Sequence, residues 1–224
     1  MDGERHDRLR RALAEHDLAT GAAGAVCAVA VRELGADGAA VTLQSENRAK
    51  ALAAASDDWA ASLEELQVTT GEGPGVAVFA AGGPVLVGDL AAAQGRWPGF
   101  VDDATAAGLA AAFAFPLRAG SIRMGVLALY RRRPGPLGRD RLADAAVLAE
   151  LATTAVLADS EASAGDVPDF YESVHIATGM IAVDLRVSLE DALLRLRAHA
   201  FAHHLPLHEV ADAVLQRQLR FDAR

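Results

Sequence analysis

Few residues of this chain have the types and spacing that chemistry requires. The glycines of Gly71–Gly75 lack the spacing of a dinucleotide-binding fingerprint, and Lys50, the only lysine, follows no phosphate-binding glycine loop. No histidine lies between His16 and His175, so this stretch has no histidine-based triad, haem ligand or metal site. We therefore predict no catalytic residues and no cofactor, and expect a protein that binds rather than catalyses.

Cysteine and histidine usage also bears on metal binding. Cys27 is the only cysteine, which excludes an internal disulfide and any site with several cysteines. His203 and His204 are adjacent, and neighbours on a helix point about 100° apart, which is poor geometry for one zinc ion. A solvated helix end explains this pair better, and we predict no metal site.

The composition predicts a folded protein outside the membrane. Hydrophobic residues make up 52% of the 224, enough for a real core. No apolar run reaches the roughly 18 to 20 residues of a membrane helix, and the charged residues 1–11 precede no export signal. We expect a cytoplasmic protein with no membrane partner.

The charge distribution limits the kind of nucleic-acid binding that is plausible. The net charge of −9 argues against non-specific coating of nucleic acid, but leaves room for a small local patch. Residues 167–224 are closer to neutral, with six basic and eight acidic residues, and contain five of the seven histidines. Any recognition of nucleic acid is therefore expected in this part.

Hydrophobic periodicity predicts a sheet with flanking helices in the first 160 residues. The predicted helices are 5–19, 25–34, one capped by Asp57 or Asp58, one starting at Pro74, and 139–159. The predicted strands are 39–43, 49–55, 84–89, 109–117 and 122–130. Because only a short turn joins the last two strands, we expect them to pair antiparallel.

The helix predicted over 139–159 carries an apolar stripe at alternating three- and four-residue spacing, typical of a helix packed on another helix. Its members are Leu142, Ala145, Ala149, Ala152 and Val156. Two interpretations stay open, packing on the domain's own sheet or the seam of a homodimer. We favour a homodimer.

Three helices are predicted in the last part of the chain, at 169–185, 188–204 and 207–219, after a small, polar linker. Ser188 with Asp191 resembles a capping box, and Pro206 suits a helix start. Helices this short are unstable alone, so they must share a small core. We expect a three-helix bundle.

Residues 69–130 resemble the latter part of a GAF domain. The matching parts are the Gly-Glu-Gly-Pro hinge at 71–74, Asp89-Leu90, Trp97-Pro98, and a hairpin over 115–129. The resemblance implies a sensor whose apolar pocket, between the sheet and residues 57–83, holds a small organic molecule. The aromatic residues expected at this pocket are Trp59, Phe79, Trp97, Phe100, Phe113 and Phe115.

Residues 174–215 resemble the ANTAR domain of transcription antiterminators. The Ala-x-Gly-Met motif of that family corresponds to Ala177, Gly179 and Met180. Its Ala-x-x-x-Leu-Arg-x-x-Ala helix corresponds to Ala192, Leu196, Arg197 and Ala200. Its Leu-x-x-Val-Ala motif corresponds to Leu207, Val210 and Ala211. The resemblance implies that a homodimer binds two adjacent RNA stem-loops in a leader transcript and so prevents termination.

The same resemblance implies the RNA-binding surface. Loop bases are read by hydrogen bonds and stacking while a few arginines meet phosphates, so a high net charge is not needed. The implied RNA-binding residues are Ala177, Thr178, Gly179, Arg186, Arg195, Arg197, His199, His203 and His204.

Some of these positions allow two interpretations. Gly179 permits close approach either of RNA or of another helix. Arg195 and Arg197 lie two apart and do not share one narrow stripe of a helix, so at most one is central to RNA binding.

The sequence also departs from the ANTAR pattern. Ile176 and Thr178 stand where glutamine and lysine are frequent, and Pro206 stands at a frequently basic position. Arg186 replaces a frequent glycine in the first turn between helices, and its charge partly offsets the lost donors.

We therefore predict an α+β protein, with a GAF-like antiparallel sheet and flanking helices followed by an all-α three-helix bundle. The predicted parts are an N-terminal helix (1–24), a GAF-like sensor domain (25–160), a linker (161–168) and an ANTAR-like RNA-binding domain (169–224). The predicted function is signal-responsive transcription antitermination. The alternatives are a sensor or protein-interaction module whose bundle no longer binds RNA, and an unrecognised enzyme.

Overall fold

The computed structural model describes residues 2–16, 21–44, 50–120, 122–162, 172–203 and 205–222. The helices in these ranges are α1 (Asp2–Ala14), α2 (Gly21–Leu34), α3 (Asp58–Thr70), α4 (Pro74–Ala81), α5 (Pro98–Ala106), α6 (Arg139–Ala162), α7 (Glu172–Leu185), α8 (Leu189–His203) and α9 (Leu207–Leu215). The strands are β1 (Gly38–Gln44), β2 (Lys50–Ala55), β3 (Val85–Val87), β4 (Ala111–Ala119) and β5 (Ile122–Arg131). Of the helices described, none is both long and apolar enough to cross a membrane.

The five strands form one sheet in the order β2-β1-β5-β4-β3, and all neighbouring strands are antiparallel. β4 and β5 form a hairpin in which Phe113 pairs with Leu129 and Phe115 with Leu127. The prediction of an antiparallel hairpin in this part of the chain is therefore confirmed, as is the GAF-like sheet with flanking helices.

Helices cover both faces of the sheet. On one face, α1, α2 and α6 enclose a core that includes Phe113 and Phe115. On the other, α3, α4 and α5 enclose a core that includes Leu63, Phe100 and Tyr130. The strands divide their side chains between these cores because successive residues of a strand point to opposite faces.

The apolar stripe of α6 is used within the chain. Ala145, Ala149, Ala152 and Val156 are buried in the core beneath α2 and β4, and Leu142 packs partly buried against it. Packing on the domain's own sheet therefore accounts for the stripe. The prediction that these residues form a dimer seam is corrected on this ground.

One helix was absent from the sequence-based prediction. α5 begins at Pro98, whose fixed φ and missing N–H suit the first position of a helix. It places Phe100 fully inside the core. The Trp-Pro segment that contributed to the GAF resemblance is thus the start of a core helix.

The three C-terminal helices pack on one another and on α3. They share a core with Leu196 and Val210 at its centre, to which Val68 of α3 also belongs. At the start of α8, Ser188 Oγ accepts from the Asp191 N–H at 3.0 Å, as in the expected capping box, and donates to the Asp191 carboxylate at 2.8 Å.

The end of α9 differs from the prediction, and the predicted start of α7 cannot be compared with the structure. α9 ends at Leu215 rather than 219, because Arg217 adopts a left-handed backbone with φ 58° that does not continue a helix. The predicted residues 169–171 of α7 lie outside the described ranges.

Candidate functional site

The sheet separates the six aromatic residues that were predicted to line one ligand pocket. Four lie on the face covered by α3, α4 and α5: Trp59, Phe79, Trp97 and Phe100. Phe113 and Phe115 lie in the core on the opposite face, while Ala112 and Ala114, which alternate with them along β4, face α3–α5. The prediction of one shared pocket is therefore wrong, because alternation along β4 sends both phenylalanines to the other side.

The aromatic rings on the α3–α5 face are held by the chain itself. Trp97 and Phe100 are buried and meet edge to face, with ring centroids 6.4 Å apart. The Trp59 indole N–H donates to the Ala107 carbonyl at 2.8 Å, and the Arg132 guanidinium lies 3.8 Å from the centre of the indole ring. These rings thus act as packing elements.

A buried polar network crosses the same face. The Tyr130 hydroxyl donates to Glu64 Oε1 at 2.5 Å, and Thr42 donates to Glu64 Oε2 at 3.0 Å. Gln67 Nε2 donates to the Tyr130 oxygen at 2.8 Å. All four residues are buried, so these bonds offset the cost of removing a carboxylate and an amide from water.

The Gly71–Pro74 hinge joins this network to α4. Gly71 ends α3 in a left-handed conformation, with φ 71°. Gly73, with φ 121°, leaves no room for a side chain, because a Cβ there would lie 2.6 Å from Gln67 Oε1. That oxygen accepts from the Gly75 N–H at 2.7 Å, and Pro74 takes the first position of α4. The hinge motif is therefore fixed by contacts to the buried network.

The remaining residue of the hinge connects it to α5. Glu72 accepts from the Gly99 N–H at 2.8 Å through its carboxylate. A change in the conformation of the hinge would therefore shift α4 and α5 together.

The structure distributes the predicted RNA-binding residues over several environments. Ala177 and Thr178 are buried, and the Thr178 hydroxyl donates to the Val174 carbonyl at 2.6 Å within α7. In this arrangement they support the helix core and do not present groups to RNA. Their assignment as direct contacts is corrected for this reason.

Arg197 lies at the contact between α8 and the hinge. A Cβ built on Gly71 would be 2.9 Å from Arg197 Nη1. Arg197 Nε is buried and has no hydrogen-bond partner in the described part of the chain. Burial lowers the pKa of the Arg197 guanidinium from its ordinary value. Arg197 is thus an interface residue here, which corrects its prediction as an exposed RNA contact.

A second polar contact joins the C-terminal helices to α3. His208 Nδ1 lies 2.5 Å from Glu65 Oε1, with both side chains about one-third exposed or less. Val68 packs one turn further along α3 in the shared core. α3 therefore contacts the polar network on one side and the C-terminal helices on the other.

A groove of about 760 Å³ opens on the outer side of the C-terminal helices. One wall is the second half of α7, from Gly179 to Leu185, and the other is the segment after α9. We call this segment the 216–222 segment. Arg217, Arg220 and Phe221 line its side of the groove, which no sequence argument had assigned to a site. The available signal was a pair of arginines, Arg217 and Arg220, close to Leu219 and Phe221.

The 216–222 segment is attached to α8 by two of the predicted residues. The His199 ring meets the Phe221 ring edge to face at 5.5 Å, and stacks on His203 at 4.0 Å. Arg195 Nη1 donates to the Asp222 carbonyl at 3.5 Å. Burial, and secondarily the charge of His203, lower the pKa of His199.

The last predicted residues are at the surface or outside the described ranges. Arg186 is exposed and has φ 56°, which explains why a glycine suits this turn. His203 is exposed at the end of α8, and its ring nitrogen Nδ1 is 2.9 Å from the His199 carbonyl. His204 lies outside the described residues.

A cleft of about 590 Å³ lies between α2 and the end of β2, with His16, Asp37 and Asp57 among its lining residues. Asp57 is the cap of α3, because its carboxylate accepts from the Ala60 N–H at 2.7 Å. Within the ranges that the structure covers, no three histidine, cysteine or acidic residues are grouped as metal ligands would be.

Solved structures share the fold of the sheet and its helices. The GAF domain of an Acinetobacter phosphoenolpyruvate-protein phosphotransferase has a TM-score of 0.55 and 14% identity, covering 74% of this chain and 98% of that chain. The cyanobacteriochrome TePixJ GAF domain has a TM-score of 0.52 and 16% identity, covering 65% and 93%. Free methionine-R-sulfoxide reductase from Neisseria meningitidis has a TM-score of 0.50 and 17% identity, covering 72% and 91%.

These identities are low, so the likeness shows the fold alone. No curated protein matches the chain. A family model described as GAF domain matches residues 20–158, which is more than half of the 224 residues and includes the hinge and the whole sheet. This chain therefore belongs to the GAF domain family.

Proposed function

We propose that this chain is a signal-responsive regulator in which the GAF domain controls RNA binding by α7, α8 and α9. The RNA is a pair of adjacent stem-loops, and its stabilisation prevents a transcription terminator from forming. The chain acts by binding and not by catalysis. One observation carries the proposal: the apolar motif residues that resemble an ANTAR domain are buried in one core, namely Ala177, Ala192, Leu196, Ala200, Leu207, Val210 and Ala211.

The burial pattern supports this assignment because it explains the motif spacing. Ala177 on α7 lets α8 and α9 approach closely, and Leu196 fills the space between the three helices. The motif therefore describes how these helices pack. Gly179, which is not buried, is then available for recognition.

The contact between the C-terminal helices and α3 supports control by the GAF domain. Arg197 lies against Gly71, and Gly71 follows directly on the helix that holds Glu64 and Gln67 in the buried polar network. A small molecule that displaced this network would shift the end of α3 and with it the surface on which α8 rests. Such coupling requires that the end of α3 has two arrangements. The small molecule and the RNA must each bind one of these arrangements more tightly than the other.

Pairs of RNA hairpins require two recognition units, so we expect a homodimer. The apolar stripe of α6 does not provide its seam, because those side chains are buried within one chain. Assembly is expected to involve surfaces other than this stripe.

Sequencing of RNA that co-purifies with the full chain tests the proposal. We expect enrichment of transcripts with two adjacent short hairpins near a terminator. The Leu196→Asp variant, which places a charge in the core of the C-terminal helices, should lose this RNA. Leu86→Asp is the matched control, because Leu86 is exposed on β3. Absence of enriched RNA with the parent chain would contradict the proposal.

A second function is favoured by one observation. Five large apolar side chains are exposed on α7 and α8: Ile176, Val183, Leu189, Leu194 and Phe201. Exposed apolar side chains of this size are suited to contact with a protein partner where they lie together. If the purified chain carries a stoichiometric protein and no RNA, the interaction-module function replaces RNA binding.

A further inference from the structure

We infer that the groove between α7 and the 216–222 segment is a binding site for one unpaired RNA nucleotide. This site deepens the proposed RNA-binding function and rests on it. With a volume of about 760 Å³, the groove is large enough for a base and part of its backbone. Its position places the RNA on the side of α7 marked by Gly179.

The first observation concerns Gly179. A glycine inside a helix weakens the helix relative to alanine, so its presence needs a reason. Close packing against another helix does not supply one, because a Cβ built on Gly179 meets no described atom within 4 Å beyond its chain neighbours and its own helix backbone. Gly179 lines the groove, so a side chain at this position would take up part of its space. The glycine thus keeps the groove open.

The second observation concerns charge at the groove. Arg217 and Arg220 line it and are exposed, and neither guanidinium makes a hydrogen bond or an ion pair with the described part of the chain. By contrast, the guanidinium groups of Arg5 and Arg8 are engaged by Asp144. Two uncommitted guanidinium groups at a groove are suited to phosphate oxygens.

The rest of the lining suits a base rather than a second phosphate. Asp184 and Asp222 also line the groove and would repel additional phosphates. Carboxylates accept hydrogen bonds from exocyclic amino groups, so they favour adenine, cytosine or guanine over uracil. Phe221 and Met180 provide apolar surface for the face of the base.

Contacts from α8 hold the 216–222 segment in place as one wall of the groove. His199 packs on Phe221, and Arg195 donates to the Asp222 carbonyl. These two residues, which the sequence suggested as RNA contacts, are positioning residues for the 216–222 segment. The nucleotide contacts themselves fall to Arg217, Arg220 and the open surface at Gly179.

The test is a selection of two-hairpin RNAs with randomised loops against the full chain, followed by titration of the selected RNA against variants. Gly179→Met fills the groove without a clash and replaces glycine by a better helix former, so the thermal midpoint should not fall. Ala202→Met is its control, an exposed position on α8. Arg220→Ala removes one phosphate contact, with Arg133→Ala, exposed in the GAF domain, as its control.

We expect Gly179→Met and Arg220→Ala each to weaken binding about tenfold or more, and both controls to bind like the parent. The selected loops should share one position that excludes uracil. If Gly179→Met and Arg220→Ala bind like the parent, or if uracil is accepted at every loop position, the groove inference is overturned while RNA binding stands. If the parent selects no RNA at all, the proposed function itself is contradicted.

Discussion

The guanidinium of Arg197 on α8 lies directly over Gly71 of the hinge, so close that a Cβ on Gly71 would come within 2.9 Å of Nη1. Its Nε is buried without a hydrogen-bond partner among the described residues. Glycine at this position is thus required twice, once by its φ of 71° and once by the arginine above it. The contact links the GAF hinge to the C-terminal helices.

A double-mutant cycle on these two residues tests the contact. Gly71→Ala alone should destabilise the chain through backbone strain and displacement of Arg197. In an Arg197→Ala background only the backbone term remains, so the cost of Gly71→Ala should be smaller by about 0.5 to 1 kcal/mol or more. Urea unfolding of the four proteins measures this coupling. Equal costs of Gly71→Ala in both backgrounds would show that the two residues do not interact.

The His199 ring predicts a pH dependence of the 216–222 segment. Burial first, and the charge of His203 second, lower the pKa of His199 below its ordinary value. The unfolded or detached state therefore binds a proton more readily. The packing of His199 on Phe221 is fully present above the ordinary pKa of about 6.5, and is lost as the pH falls from there towards the lowered value.

NMR titration of the histidine rings should give a pKa for His199 below about 6.5, and His203→Gln should move it back towards that value. Amide exchange in residues 217–222 should accelerate as the pH is lowered, after correction for the intrinsic rate. A His199 pKa above its ordinary value would contradict the packing described.

Local signals in the sequence predicted much of the sheet, but not which face each side chain occupies. Pro74 and the short turn between β4 and β5 mark their elements by backbone chemistry alone, and both predictions hold. Phe113 and Phe115 share one face by alternation, but only the helices packed on each side decide whether that face is a pocket or a second core. Tertiary packing supplies this information.

The same limit explains the errors in the C-terminal helices. The ANTAR resemblance implied that Arg197 contacts RNA, and nothing in the sequence indicated that it would lie against Gly71 of the hinge. Thr178 was taken as polar and available, whereas its hydroxyl donates to a carbonyl of its own helix. Conversely, the groove at Gly179 depends on the turn at Arg217. The residue types in this segment did not predict the left-handed backbone of Arg217.

Tyr130→Phe tests the buried polar network. It removes a donor to Glu64 and an acceptor for Gln67, both buried, so we expect a loss of about 1 to 3 kcal/mol in the free energy of unfolding. Thr154→Val removes a hydroxyl from the exposed side of α6 and should cost less than about 0.5 kcal/mol. Chemical denaturation compares the two. If Tyr130→Phe is as mild as Thr154→Val, the network contributes little to stability.

The salt dependence of RNA binding reports the number of phosphates that the protein contacts. With only two uncommitted arginines at the groove, the logarithm of the association constant should fall against that of the salt concentration with a slope of about −1.5 to −2. Because Arg217→Asn with Arg220→Ala removes both contacts, the slope should change by about 1.5 to 2, to nearly zero. Asparagine is chosen at 217 because it tolerates the positive φ of that position.

The control for the salt series removes two exposed arginines elsewhere, with Arg10→Ala and Arg133→Ala combined. It should leave the slope unchanged. An equal reduction by both double variants would indicate general attraction by charge rather than contacts at the groove.

The proposed function requires that α7, α8 and α9 of this GAF family member bind paired RNA hairpins. Its most direct test is a fluorescence anisotropy titration of the full chain with a selected two-hairpin RNA, beside the same RNA with one hairpin opened by base changes. We predict saturable binding to the paired hairpins, at least about tenfold weaker binding to the opened RNA, and no binding by Leu196→Asp. Failure of the parent chain to bind any hairpin RNA at physiological salt would contradict the claim.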